Sequence, residues 1–255
     1  MQQLAVSAGM CQKTETVVVI YRNTCPLCGM VEENTIEIPI DLRDLMPGGN
    51  TQTFCEKCYA ERQRIEEIER EKRQREDFLA KTEIPADFLV WDKAKGNNQL
   101  ARQIHDNAEK SLFVCGKNDA CKTRSAAFNL KLQVTKENRR CKFVRWSDLA
   151  LGYARTCKIS SENSKFYIDT FLSYDVLLID DIGKRRITET AGEMLYDMID
   201  LVYSGASATK IWITSNKNLE DLSECFENLD MGDAVVSRFD RMIESGKMLK
   251  IETGA

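Results

Sequence analysis

No run of apolar residues in this chain is long enough to cross a bilayer. The longest, Val176–Ile179 with its flanks, is strand-sized, against the roughly 18 to 20 residues that a spanning helix needs. The first ten residues carry neither the basic cluster nor the apolar core of a secretory signal, so the expected location is the cytosol. Positive charge is not in excess: 36 Lys and Arg face 40 Asp and Glu, a net of −4. The molecule as a whole is no polycation, and any contact with nucleic acid must come from a local patch. Histidine is almost missing. The one present, His105, lies in the helical pattern NNQLARQIHDNAEK and is expected at the surface or half-buried. Ser-His-Asp and Cys-His catalysis therefore has nothing to build on. Internal repeats and low-complexity tracts are lacking too. What remains is a globular chain of 255 residues, enough for one good core and a small satellite domain.

Cysteine, by contrast, is plentiful, with ten residues. In a reducing compartment these do not imply a disulfide framework. Six of them are scattered and read as small apolar residues. The other four form two Cys-x2-Cys pairs, Cys25/Cys28 and Cys55/Cys58, with 26 residues between them. Two thiolates at this spacing can take adjacent corners of a tetrahedron, and a second pair completes a four-thiolate zinc site with no position left for water. The zinc is therefore expected to be structural, clipping together a module with little core of its own. Gly29 follows the first pair, where a tight knuckle needs a permissive backbone. The second pair opens a stretch of helix formers, Glu56–Lys81, carrying eight acids and eight bases, many of them spaced for i,i+3 or i,i+4 pairing. This predicts a zinc-binding, β-rich N-terminal module (1–60), a charged linker helix (61–83) and a larger domain (84–255), with Pro85 at the boundary.

In the larger domain, strand-like runs alternate with helical patterns: SLFVCG, CKFVRW, DVLLIDD, KIWITSN and GKMLKIE. That alternation predicts an α/β fold, a parallel sheet covered by helices on both faces. The first run leads into FVCGKNDACKTRSAAF, which reads as the phosphate-binding loop G-x4-G-K-[ST] with cysteine in place of its second glycine. Gly116, Asn118, Asp119, Ala120 and Cys121 would wrap the phosphates, with Lys122 on the β/γ-phosphates and Thr123 on Mg²⁺. A non-glycine residue forced into left-handed geometry at Cys121 costs roughly 1–2 kcal/mol, so weakened or altered ATP binding is expected, not loss. The run YDVLLIDDIG delivers Asp180 and Asp181 at the C-terminal end of a buried strand, 58 residues after Lys122. Asp180 suits Mg²⁺, and Asp181 suits orienting or deprotonating the attacking water. KIWITSN ends in Thr214, Ser215 and Asn216, and VVSRFDRM offers Arg238 and Arg241 for charge on transferring phosphoryl oxygens.

On these residues (Gly116, Lys122 and Thr123, then VLLIDDIG, ITSN and SRFDRM) the chain from about Ile84 to Ile251 resembles the AAA+ ATPases of the helicase-loader family, DnaC/DnaI type, and the related transposition helpers of IstB type. The resemblance implies Asp180 and Asp181 as the Mg²⁺ and water-activating pair and Asn216 as sensor of the γ-phosphate. One of Arg238 and Arg241 would be the finger acting in trans, with Arg238 favoured. It also implies self-association through the AAA+ domain and an N-terminal zinc module that docks on a replicative hexameric helicase. Between Lys131 and Lys165 nine bases face three acids, with Phe143 and Trp146 interleaved. Such a stretch can follow a single strand through charge and stacking, and the resemblance, in whose oligomers loops from this region line the central channel, implies single-stranded DNA at Lys136, Arg139 and Arg140. An ATP-dependent helicase loader is the leading reading. A transposition helper and a non-hydrolysing adaptor with a decayed phosphate loop are the alternatives.

Overall fold

The computed structural model describes residues 16–39, 55–91, 96–117, 121–158 and 161–253. The chain forms two compact units, Met1–Glu71 and Lys72–Ala255. In the first unit, β1 (Thr16–Thr24) and β2 (Val31–Pro39) pair antiparallel, from Thr16 opposite Pro39 to Thr24 opposite Val31. The turn between them holds the first Cys pair. Cys55 stands immediately before α1 (Glu56–Thr82), and Cys58 lies in its first turn. The charged composition of α1 gives it a mostly exposed surface, with ion pairs such as Arg62–Glu66 at 2.8 Å and Lys81–Asp77 at 2.7 Å.

The second unit continues with α2 (Ala86–Leu89), α3 (Asn98–Asp106), β3 (Ser111–Gly116), α4 (Lys122–Thr135), β4 (Cys141–Arg145), α5 (Trp146–Cys157) and α6 (Ser161–Phe171). Then come β5 (Val176–Ile182), α7 (Glu189–Ser204), β6 (Lys210–Ser215), α8 (Leu219–Ser223), α9 (Leu229–Glu244) and β7 (Met248–Thr253). All five strands pair parallel, in the order β4-β5-β6-β3-β7. The continuous apolar strand runs follow from burial on both faces. Successive side chains alternate: Phe113, Leu177, Ile179, Ile211 and Ile213 enter one core with α5, α7 and α9, while Leu112, Val114, Leu178 and Trp212 enter the other with α3 and α4.

This order sets β6 between β3 and β5, so the C-terminal ends of all three open side by side. Ligands bind at that edge of such sheets. The β5–β6 register is broken between Ile179 and Ile182, and Asp181 takes a left-handed φ of 62°. The irregularity falls on the aspartate pair, where the β5–β6 ladder is interrupted.

Candidate nucleotide site and four-cysteine centre

β3 ends at Gly116, whose φ of 147° favours glycine. A Cβ there would overlap the carbonyl oxygen of Thr253 on the neighbouring β7. The loop then runs to Cys121; Asn118, Asp119 and Ala120 lie outside the described residues. Cys121 is the N-cap of α4 with φ 57° and ψ 27°, the left-handed geometry in which the motif's glycine is at ease. Its side chain makes no capping hydrogen bond. Lys122 is only 6% exposed, and its ammonium donates to the carbonyl oxygens of Gly116 (2.9 Å) and Lys117 (2.8 Å) and to Asn216 Oδ1 (2.8 Å). Thus the loop lysine and the end of β6 meet across 94 residues of sequence.

Thr123 Oγ1 and Thr214 Oγ1 each donate to Asp180 Oδ1 at 2.6 Å. Thr214 Oγ1 also accepts the Asp181 N–H at 3.0 Å, so one hydroxyl fixes both aspartates. Asp180 is 5% exposed, and burial pushes its carboxyl above the usual range while the two hydroxyls pull it back. Among the described residues no ion pair neutralises this carboxylate. A buried carboxylate and a threonine hydroxyl with no protein cation between them form the hard-oxygen donor set that Mg²⁺ takes alongside phosphates. Asp181 is more exposed and accepts from Lys184 Nζ at 2.9 Å. Cys121, Lys122, Thr123, Asp181, Lys184 and Asn216 line one cleft of about 650 Å³, enough for a nucleotide.

The remaining sequence candidates lie elsewhere. Ser215 turns inward, donating to the Ile182 carbonyl, so of the three β6-terminal residues only Asn216 lines the cleft. Arg238 is held within its own subunit: it pairs with Asp200 at 2.9 Å, donates to the Tyr196 hydroxyl and lies over the rings of Tyr196 and Tyr203. Arg241, three residues on, is exposed. Neither arginine lines the cleft. Lys136, Arg139 and Arg140 stand just before β4, at the opposite end of the strands from the cleft. Arg139 pairs with Glu109 at 2.6 Å, and Arg140 donates to the Ser173 carbonyl. The stacking expected of Phe143 and Trp146 is overturned: each is 5% exposed and packed in a core. Aromatic residues that recur every few positions beside bases belong here to the buried side of β4 and α5. Two features of the site are not apparent from the motifs: the bridging of both aspartates by Thr214, and Lys184. The lysine's signal was its place just past the glycine in DDIGK.

The strained Cys121 allows a direct test. Cys121→Gly should remove roughly 1 kcal/mol of left-handed strain, partly offset by glycine's added chain entropy. The expected results are a melting temperature equal or up to a few degrees higher and tighter ATP binding by calorimetry. A clear drop in both would show that the thiol supports the loop.

In the first unit, the Sγ atoms of Cys25, Cys28, Cys55 and Cys58 all lie within 4.8 Å of one another, with Cys28 and Cys55 at 3.6 Å. Corners of a tetrahedron with zinc–sulfur bonds of ~2.3 Å are ~3.8 Å apart, so the set fits that ion. The hairpin turn builds two corners: Cys25 N–H donates to Met30 O, and Gly29 N–H, at φ 71°, donates to Cys25 O. Without a cation the thiols compete for charge. The Cys55 backbone N–H, helped by others, draws Cys25 down to about 6, while Cys28 and Cys55 push Cys58 up to about 12. A dication removes that conflict by taking all four as thiolates.

Among the described residues no helix is long and apolar enough to cross a membrane. The family described as IstB-like ATP binding protein matches residues 66–254, most of the chain. None of the curated proteins matches. Among solved structures, DnaI shares the fold with a TM-score of 0.52 at 16% identity, covering 68% of this chain and 96% of that one. Domain III of the Thermotoga maritima replication initiation protein DnaA gives a TM-score of 0.50 at 19% identity, covering 68% and 69%. The DnaC helicase loader gives 0.49 at 21% identity, covering 61% and 87%. A lysine–threonine loop, two aspartates and an asparagine gathered at the ends of three parallel strands agree with the family match, and the chain belongs to the IstB-like ATP-binding proteins of AAA+ fold.

Proposed function

We propose that this protein is an AAA+ ATPase that loads or regulates a replicative DNA helicase, engaging the helicase through its four-cysteine zinc module. The observation that carries the ATPase reading is the linkage of three strand ends: Lys122 to Asn216, and Thr123 to Asp180 to Thr214. Lys122 would meet the β- and γ-phosphates, Asn216 would sense the γ-phosphate, and Asp181 would orient the attacking water. Thr123 and Asp180 would hold Mg²⁺, which when bound offsets phosphate charge. An intact constellation of this kind counts against a decayed adaptor.

Hydrolysis in such enzymes is completed by an arginine from a neighbouring copy. Arg241 suits that role better than Arg238, because it is exposed while Arg238 is occupied by Asp200 and two tyrosines. Single-stranded DNA is assigned to Lys136, Arg139 and Arg140 by backbone charge alone, since the nearby aromatics are buried.

The loader reading draws on the four-cysteine module preceding the ATP-binding domain and on the helicase-loader resemblance of its motifs. The family match favours a second reading, a transposition helper of IstB type. Co-purification of the full chain with the host's replicative helicase, with and without Mg-ATP, separates the two. Capture of the helicase, together with salt-sensitive binding of labelled oligo-dT, is expected. Failure to retain helicase while a transposase is retained would reverse the order.

A further inference from the structure

Lys184 belongs to none of the motifs above, yet it lines the same cleft as Lys122, Thr123 and Asn216. Gly183, at φ 76°, turns the chain sharply after the aspartate pair, so Lys184, three residues past Asp181, folds back over it. The contact is an ion pair of 2.9 Å, with side chains 65% and 34% exposed. A pair this open to water is weak, and its lysine is long enough to find another partner. Lys122 approaches the cleft from the loop after β3, anchored by two carbonyl oxygens and Asn216. Lys184 approaches from the end of β5, the wall that carries Asp181.

We infer that Lys184 is a specificity-determining residue for the terminal phosphate: it exchanges Asp181 for the γ-phosphate of a bound triphosphate. This rests on the nucleotide reading of the cleft. A nucleoside triphosphate brings roughly four negative charges beside a lysine otherwise balanced by one carboxylate, and phosphate oxygens are strong acceptors for an ammonium. A diphosphate lacks the group that Lys184 would reach and leaves the pair with Asp181 in place. The same exchange releases Asp181 to hold the attacking water, so substrate recognition and readiness of the aspartate are coupled through one side chain.

Calorimetry on the full chain with Mg²⁺ tests this, using ADP and a non-hydrolysable ATP analogue against wild type, Lys184→Met and Lys184→Arg. The expected result is about tenfold weaker binding of the triphosphate by Lys184→Met with ADP affinity within twofold of wild type. Lys184→Arg should recover most of the loss. The exposed position predicts unchanged melting of both variants. Equal loss for the two nucleotides, or no loss for either, overturns the role of Lys184 while leaving the cleft a nucleotide site. Wild type that binds neither nucleotide overturns both.

Discussion

Lys122→Ala should lower ATP affinity on the order of a hundredfold while costing only about 1–2 kcal/mol of stability. Lys122 is nearly buried, and three neutral oxygens accept from its ammonium. Hydrogen bonds to such dipoles orient the ammonium at the end of β3 and β6, where the cleft opens. On the proposed reading, removing it deletes a positive charge that would meet the phosphates. The fold loses less, because Lys122 and Asn216 line an open cleft that water can enter to replace the lost ammonium. Calorimetric titration with Mg-ATP, alongside a thermal melt, checks both halves. Affinity within threefold of wild type would remove Lys122 from the site. Arginine is no neutral control, since its planar fork does not fit a place shaped for a point donor.

Stripping the metal with a strong chelator should unfold the N-terminal unit and leave the larger domain's melting transition where it was. The four sulfurs come from a β-hairpin turn and from the start of a helix nearly 30 residues on. Among the described side chains around the turn, Leu27, Met30 and Val31 are exposed while Cys25 and Cys55 are buried. Apparent zinc-binding energies in such sites are about 10–16 kcal/mol at neutral pH, larger than the stability of most small domains. One zinc per chain by colorimetric assay is expected. Cys58→Ser should act like chelation, by leaving an incomplete tetrahedron. A first unit that keeps its protease resistance after chelation would show that the hairpin stands without metal.

The five strands of the larger domain were legible because each is a short apolar run between helical patterns, and burial on both faces demands that composition. The loop lysine, the aspartate pair and the asparagine were legible because phosphate chemistry restricts which residues follow which strand. Stretches that mix charge with aromatic residues were read less well. Phe143 and Trp146 alternate with basic residues, and a linear reading cannot tell which side of a strand or helix faces inward. Arg238 has the same difficulty, since its partners Tyr196, Tyr203 and Asp200 lie on α7, some 35 to 42 positions away, and only packing of α9 against α7 makes them neighbours.

The residues alone determined that a phosphate loop, two carboxylates and two thiol pairs are present, because local spacing and strand periodicity carry that information. Only the tertiary structure decided which of them meet. The β4-β5-β6-β3-β7 order places β6 between the loop strand and the aspartate strand. That interleaving lets Thr214 fix both aspartates and Asn216 reach Lys122, whereas the Lys184–Asp181 pair is local, made across the glycine turn three residues on. Parallel strands pair through crossovers of many residues, so their lateral order, and every contact made across it, is written in long-range packing that no short window of sequence contains.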